Sequence, residues 1–113
     1  MWQQGGSAEE RMFEDANNWI KELYQRKFAG FNDWRLPTLE EAMSLVERER
    51  NNDDLYIDPV FNKKQDWIWT KDLFPGEWWA WIVLFDSGRC VSDYFDSGKY
   101  VRAVRSGHYD KSD

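Results

Sequence analysis

A chain of 113 residues forms one domain and buries about two-thirds of the surface that its unfolded form exposes. With 15 basic and 21 acidic residues its formal net charge is −6, and no run of Lys or Arg interrupts that balance, which argues against a nucleic-acid surface. The single cysteine, Cys90, excludes an intrachain disulfide and weakly favours a reducing, cytoplasmic setting; no apolar run approaches the ~20 residues of a membrane span.

The opening "MWQQGGS" reads as a strand without a leader, as if cut from a longer chain. "QQGGSAEE" then turns into a first helix over Phe13 to Arg26. Its apolar positions Phe13, Ala16, Ile20, Leu23 and Tyr24 recur at three and four residues, while Asn17, Lys21, Glu22 and Gln25 fall on the wet side. Gly30 supplies a stop. In "DWRLPT", Pro37 disfavours helix at Leu36, and Thr38 with Glu41 three residues on forms a capping box. The second helix is expected over Leu39 to Arg48, with Leu39, Ala42, Met43 and Val46 on one face, and "ERERNNDD" ends it. Asp33, Trp34 and Arg35 serve no local structure and call for tertiary partners.

Everything afterwards is strand-like. "DWIWT" is a short aromatic run, and "WWAWIVLF" (Trp78–Phe85) a longer one. Alternation puts Trp79, Trp81, Val83 and Phe85 on one face, and Trp78, Ala80, Ile82 and Leu84 on the other. Both faces are apolar, as in a central strand covered on both sides, so Trp81, Val83 and Phe85 are assigned to the core. Trp78 and Trp79, at the strand's entrance, suit either a core or a ligand surface. "DSG" at Asp86–Gly88 marks a turn, with "RCVSDYF" as hairpin partner; a second "DSG" at Asp96–Gly98 precedes a last strand, "KYVRAVR". Two helices followed by short strands predict an α+β domain with an antiparallel sheet over residues 1–107, and a disordered tail over 108–113.

Catalytic chemistry is hard to find. The only histidine, His108, lies in that tail, and one thiol cannot build a zinc site of familiar spacing. Neither a phosphate-cradling glycine loop nor a nucleophile elbow occurs. "NNDDLYID" offers oxygen ligands but lacks the alternate spacing and glycine of a calcium loop. No cofactor or metal is expected, and the chain reads as a non-enzyme.

"FAGFNDWRLPTLEEAMSLV" closely resembles the Legionella collagen-like C-terminal domain family. "MWQQGG", "FEDANNWI", "LYIDPVF", "WIWT", "WAWIVLFDSG" and "YVRAVRSG" match further stretches of it in order. Met12 departs from the family, standing where a helix-capping Thr is often found. The resemblance implies a C-type lectin-like fold, two helices packed on a short twisted antiparallel sheet. Trp34 would then pack between helices and sheet, with Asp33 and Arg35 tying loops down through charge-assisted bonds. The implied role is binding of a protein or other macromolecular partner, rather than nucleic acid or membrane. Some relatives are targets of diversity-generating retroelements that rewrite the C-terminal third; others bind sulfated polysaccharides, which the acidic balance here argues against. The expected ligand surface is Trp78 and Trp79 as anchors, with Arg89, Ser92, Asp93, Tyr94, Phe95, Asp96 and Ser97 around them, and with Leu84 and Cys90 exposed nearby. The alternatives are a carbohydrate-binding lectin using Trp78 or Trp79, and a catalyst of the formylglycine-generating type. The reading of "DSG…DSG" as two ordinary turns flanking an ordinary edge strand also stays open.

Overall fold

The computed structural model describes residues 1–74, 76 and 78–105; the expected tail over 108–113, with His108, lies outside them. Helix α1 spans Phe13–Gln25 and buries Ala16, Ile20 and Leu23, the inner part of the expected stripe. Met12 occupies its N-cap without a side-chain acceptor, so the first turn relies on Glu14 and Asp15 to offset the helix dipole. The helix ends in a 3-10 turn, Phe28–Gly30, where Lys27 and Ala29 take left-handed conformations (φ 53° and 55°) beside Gly30 at 88°. Non-glycine residues rarely rest there. Trp34 secures the turn, since its Nε1 donates to the Phe28 carbonyl at 2.8 Å and its ring meets Phe28 edge-on at 5.6 Å.

Strand β1, Trp34–Arg35, pairs antiparallel with β5, Val104–Arg105, at the end of the described chain. The side chains flanking it find the partners that the sequence left unnamed. Asp33 accepts two hydrogen bonds from Arg105, at 2.8 and 3.2 Å, and that guanidinium lies 3.5 Å over the Phe31 ring. Arg35 grips Glu41 with two bonds of 2.7 and 2.8 Å. Glu41 simultaneously accepts the Thr38 N–H, and Thr38 Oγ1 accepts the Glu41 N–H, closing the capping box. Helix α2, Leu39–Met43, is shorter than expected. Beyond Ser44 the backbone tightens, Leu45 and Val46 donating to the carbonyls three residues back. The Glu47 N–H then leaves for the Tyr56 carbonyl at 2.9 Å. A tertiary hydrogen bond thus overrides the local periodicity.

The main sheet has the order β2 (Trp67–Leu73), β3 (Trp79–Leu84), β4 (Arg89–Tyr94), antiparallel throughout, with a register shift in β2 between Trp69 and Leu73. Central β3 is covered on both sides, as its two apolar faces require. Ala80, Ile82 and Leu84 join Trp69, Trp34 and the inner face of α1 in one core cluster. Val83 and Phe85 join Ala42, Leu55, Ile57 and Ile68 in the other. Leu84, expected at the surface, is only 8% exposed, because Trp67 and Arg89 flank it in the sheet while the first cluster closes over it. Trp81 is half-buried rather than core, its ring standing edge-on to Phe74 at 5.2 Å.

"KYVRAVR" forms a regular strand only at its last two residues, because its backbone divides among several partners. Lys99 exchanges bonds with Arg11, Tyr100 with β2, Val101 with Ser7, and Ala103 with Gln3. Two of these use side-chain oxygens, Ser7 Oγ for the Val101 N–H and Gln3 Oε1 for the Ala103 N–H. Gly6 is obligatory here, since a Cβ would sit 2.1 Å from the Val101 carbonyl oxygen.

Two outcomes follow from this packing. Trp34→Ala and Trp69→Ala each cost about 3–5 kcal/mol in denaturant unfolding, and half-buried Trp81→Ala costs less; equal losses at all three would refute the burial order. Glu41, held by the Arg35 hydrogen bonds against the opposing pull of burial, has its pKa lowered from 4.5 to about 2. Its contribution is therefore complete above pH 4.5 and disappears as pH falls towards 2. Urea titrations across that window will show a flatter acid limb for Glu41→Gln than for the parent.

Candidate functional site

The hairpin β3–β4 alternates its side chains, and this divides the expected ligand residues between two faces. Trp79 pairs with Tyr94 across the strands, their rings edge-to-face at 5.1 Å, and Phe74 stands edge-on to Trp79 at 5.7 Å. Trp78 and Phe95 lie on the α1 side. The Phe95 ring stacks on Phe13 at 4.6 Å and 14°, and meets Trp78 edge-on at 6.2 Å. The backbone stitches the same corner, with Phe95 N–H donating to the Trp78 carbonyl at 2.9 Å and Phe13 N–H to the Phe95 carbonyl at 2.8 Å.

At the end of the hairpin the two faces meet. Trp78, Tyr94, Phe95 and Asp96 line a shared cavity of about 250 Å³. Beside it a larger one, about 600 Å³, runs from Trp78, Phe95 and Asp96 across the first turns of α1 to Met12, Phe13, Glu14, Asn17 and Asn18. Trp78 is 75% exposed and Tyr94 56%, unusual values for such large rings. An exposed aromatic ledge braced by ring contacts offers contact area at little conformational cost.

The other expected residues have different roles. Lys99 is buried, with its ammonium 2.9 Å from Asp93 Oδ2 and within 6 Å of the Trp67 and Trp69 ring centroids. Ser97 Oγ donates to the same carboxylate at 3.1 Å. Burial pushes the Asp93 pKa upward, but hydrogen bonds from Lys99, the Tyr94 N–H and Ser97 outweigh it and leave the pKa lowered. Asp93 thus neutralises an internal cation, and Ser97 hydrogen-bonds both members of the pair. Ser92 is half-buried opposite Trp81. Arg89 is exposed but stands five positions from Tyr94, roughly 17 Å along the strand, at the far turn. Cys90, expected at the surface, is half-buried opposite Val83 and packs against the second core cluster.

In "NNDDLYID", Asn51 Oδ1 accepts the N–H groups of Asp53 and Leu55, Asp53 approaches Lys63 at 3.7 Å, and Asp54 approaches Arg50 at 3.9 Å. Among the described residues no group of three or more His, Cys, Asp or Glu is placed to hold a metal ion.

The α1 residues of the cavity escaped the sequence reading, which treated Phe13 as core stripe and Asn17 as solvated. One signal was available: Met12, an apolar residue at a cap position, is 48% exposed at the cavity's edge.

A small α+β domain with two helices, antiparallel sheets and an aromatic ledge at one hairpin end is the class these features define. The model of the Lcl C-terminal domain matches residues 1–105, and the chain belongs to that family, the Legionella collagen-like C-terminal domains. No curated protein matches the chain.

Removing the Asp93 carboxylate strands the Lys99 ammonium in the interior. Asp93→Ala is expected to destabilise by about 3 kcal/mol, the low end for a broken buried pair because Asp93 itself is partly open to water. Adding Lys99→Met to that variant restores most of the loss. A double variant as unstable as the single one would show that the pair does not act as a charge couple.

Proposed function

We propose that this domain is a non-enzymatic ligand-binding module of C-type lectin-like fold, which recognises a protein or other macromolecular partner through the aromatic ledge of Trp78, Tyr94 and Phe95. The observation that carries the reading is the three-quarters exposed indole of Trp78, braced by Phe95 and adjoining an open cavity. Large rings that are rigid yet solvated concentrate binding energy once a partner desolvates them. A catalyst of the formylglycine-generating type is disfavoured because the sole thiol, Cys90, packs half-buried against a core cluster.

A variable surface of the retroelement-diversified kind fits the same region with a restricted set of positions. Trp78, Arg89, Tyr94 and Asp96 are exposed and belong to neither core cluster, so substitution there leaves both clusters in place. Asp93 and Ser97 serve Lys99, and Phe95 is stacked on Phe13, so rewriting these three touches the scaffold.

The carbohydrate reading has one observation in its favour: the exposed indole lies beside the amides of Asn17 and Asn18, a pairing that suits a sugar ring. Displayed peptide libraries and glycan arrays, each run with and without calcium, separate the two. The expected result is peptide enrichment independent of calcium, abolished by Trp78→Ser and weakened by Tyr94→Ser at unchanged melting temperature. Calcium-dependent glycan binding, or peptide binding indifferent to Trp78→Ser, overturns the proposal.

A further inference from the structure

We infer that the cavity between Trp78 and the first turns of α1 receives a cationic side chain, arginine or lysine, from a protein partner. This rests on the reading of the ledge as a binding surface and names the chemistry that it selects. The floor is apolar, made by Phe13, Phe95 and the exposed Met12, with the Trp78 indole as one wall. Two exposed carboxylates, Glu14 and Asp96, stand on the rim, and no Lys or Arg lines the cavity among the described residues.

The charge of the rim separates a cation from a sugar. Asn17 places one of its two Nδ2 hydrogens on the Phe13 carbonyl at 2.9 Å, which leaves the second N–H and the side-chain oxygen. Among the described residues the lining sets two carboxylates beside neutral donors, the second Asn17 N–H, the Asn18 amide and the Trp78 indole N–H. Two carboxylates complement the charge of an ammonium or guanidinium group, which only donates, whereas a neutral sugar has no charge for them to meet. The partial positive charge of the α1 N-terminus, which would oppose a cation, is offset by Glu14 and Asp15 in the first turn. An aliphatic stem lies along Met12 and Phe13 while the charged head reaches the rim, and the Trp78 face adds a cation–π contact. The overall charge of −6 adds long-range attraction of the same sign.

The test follows the Trp78 indole N–H signal by NMR while short capped peptides are added. The probes are Gly-Arg-Gly and Gly-Lys-Gly amides, the same peptide with citrulline or norleucine at the centre, and methyl glycosides. Arginine and lysine peptides are expected to shift the signal in the millimolar range, and the neutral probes to bind at least about tenfold more weakly. Glu14→Gln combined with Asp96→Asn is expected to weaken the arginine peptide about tenfold. In the unaltered protein, raising salt from about 0.05 to about 0.5 M weakens the arginine peptide and leaves citrulline unaffected. Equal shifts from citrulline or a glycoside, or no shift at Trp78 from the arginine peptide up to about 50 mM, overturn the inference. Library peptides that bind through Trp78 but carry no basic residue would remove the cation claim while leaving the binding surface in place. Loss of all Trp78-dependent binding would remove both.

Discussion

The guanidinium of Arg102 closes this fold. It is wholly buried, and it donates to the carbonyls of Gln3, Gln4, Gly5 and Asn62 while lying 4.9 Å from the centroid of the Phe61 ring. Among the described residues no carboxylate pairs with it. Burial alone lowers its pKa to about 10, so the group stays charged at neutral pH and must be solvated by backbone dipoles. A buried cation whose two terminal nitrogens are held by carbonyls while its Nε has no partner is expensive to form and more expensive to disturb, since any movement of residues 3–5 or of Asn62 strips it of acceptors. That stiffness is passed along the chain. The segment bonded to Val101 and Lys99 continues to Arg11, whose carbonyl also takes the Trp69 indole N–H at 2.8 Å. Met12 and Phe13 follow immediately. The α1 side of the cavity is therefore placed by a clasp remote from it, and the β side by the hairpin.

The ledge itself is part scaffold and part surface, a division made residue by residue. Phe95 gives one face of its ring to Phe13 and leaves its edge towards Trp78, so a contact that stabilises the domain also orients the exposed indole. Tyr94, one position earlier, points to the opposite face and meets Trp79. Successive strand residues reach the same opening only because the hairpin ends there and the cavity wraps its edge. Asp93, one position earlier again, turns inward to Lys99. Three neighbouring residues therefore carry three unlike burdens, and only the outermost, Tyr94, is free of the core.

How legible this was depended on the range of the forces concerned. Local signals were read directly: Thr38 and Glu41 form the capping box, and the two apolar faces of β3 meet two core clusters. Asp33 and Arg35 announced a tertiary role by having no local one, but their partners, Arg105 and Glu41, were not legible from the residues themselves. Glu41 was hidden because one carboxylate serves both the cap and Arg35. The end of α2 was misjudged because its apolar spacing continues past Met43 while the backbone turns away to Tyr56, 9 positions on from Glu47. The site was half legible for the same reason. Aromatics at the mouth of β3 are visible in a linear chain, but the helix turn that faces them is brought there by bonds between residues more than 80 positions apart.

That long-range closure bears on how a small domain can bind at all. A surface on mobile loops must order itself on association, at about 0.5–1.5 kcal/mol for each side chain immobilised. Here the rings of Phe13, Phe95 and Trp78 are already set against one another, and both backbones at the corner are hydrogen-bonded to Phe95. The same contacts also limit what may change. A substitution at Phe95 removes a core contact and the brace of the indole together, so on the proposed reading its effects on stability and affinity are coupled. Trp78 and Asp96 lack that coupling, because the first projects into solvent and the second lies exposed on the rim. On the proposed reading, specificity is therefore most freely altered at Trp78 and Asp96, positions whose side chains the core does not use.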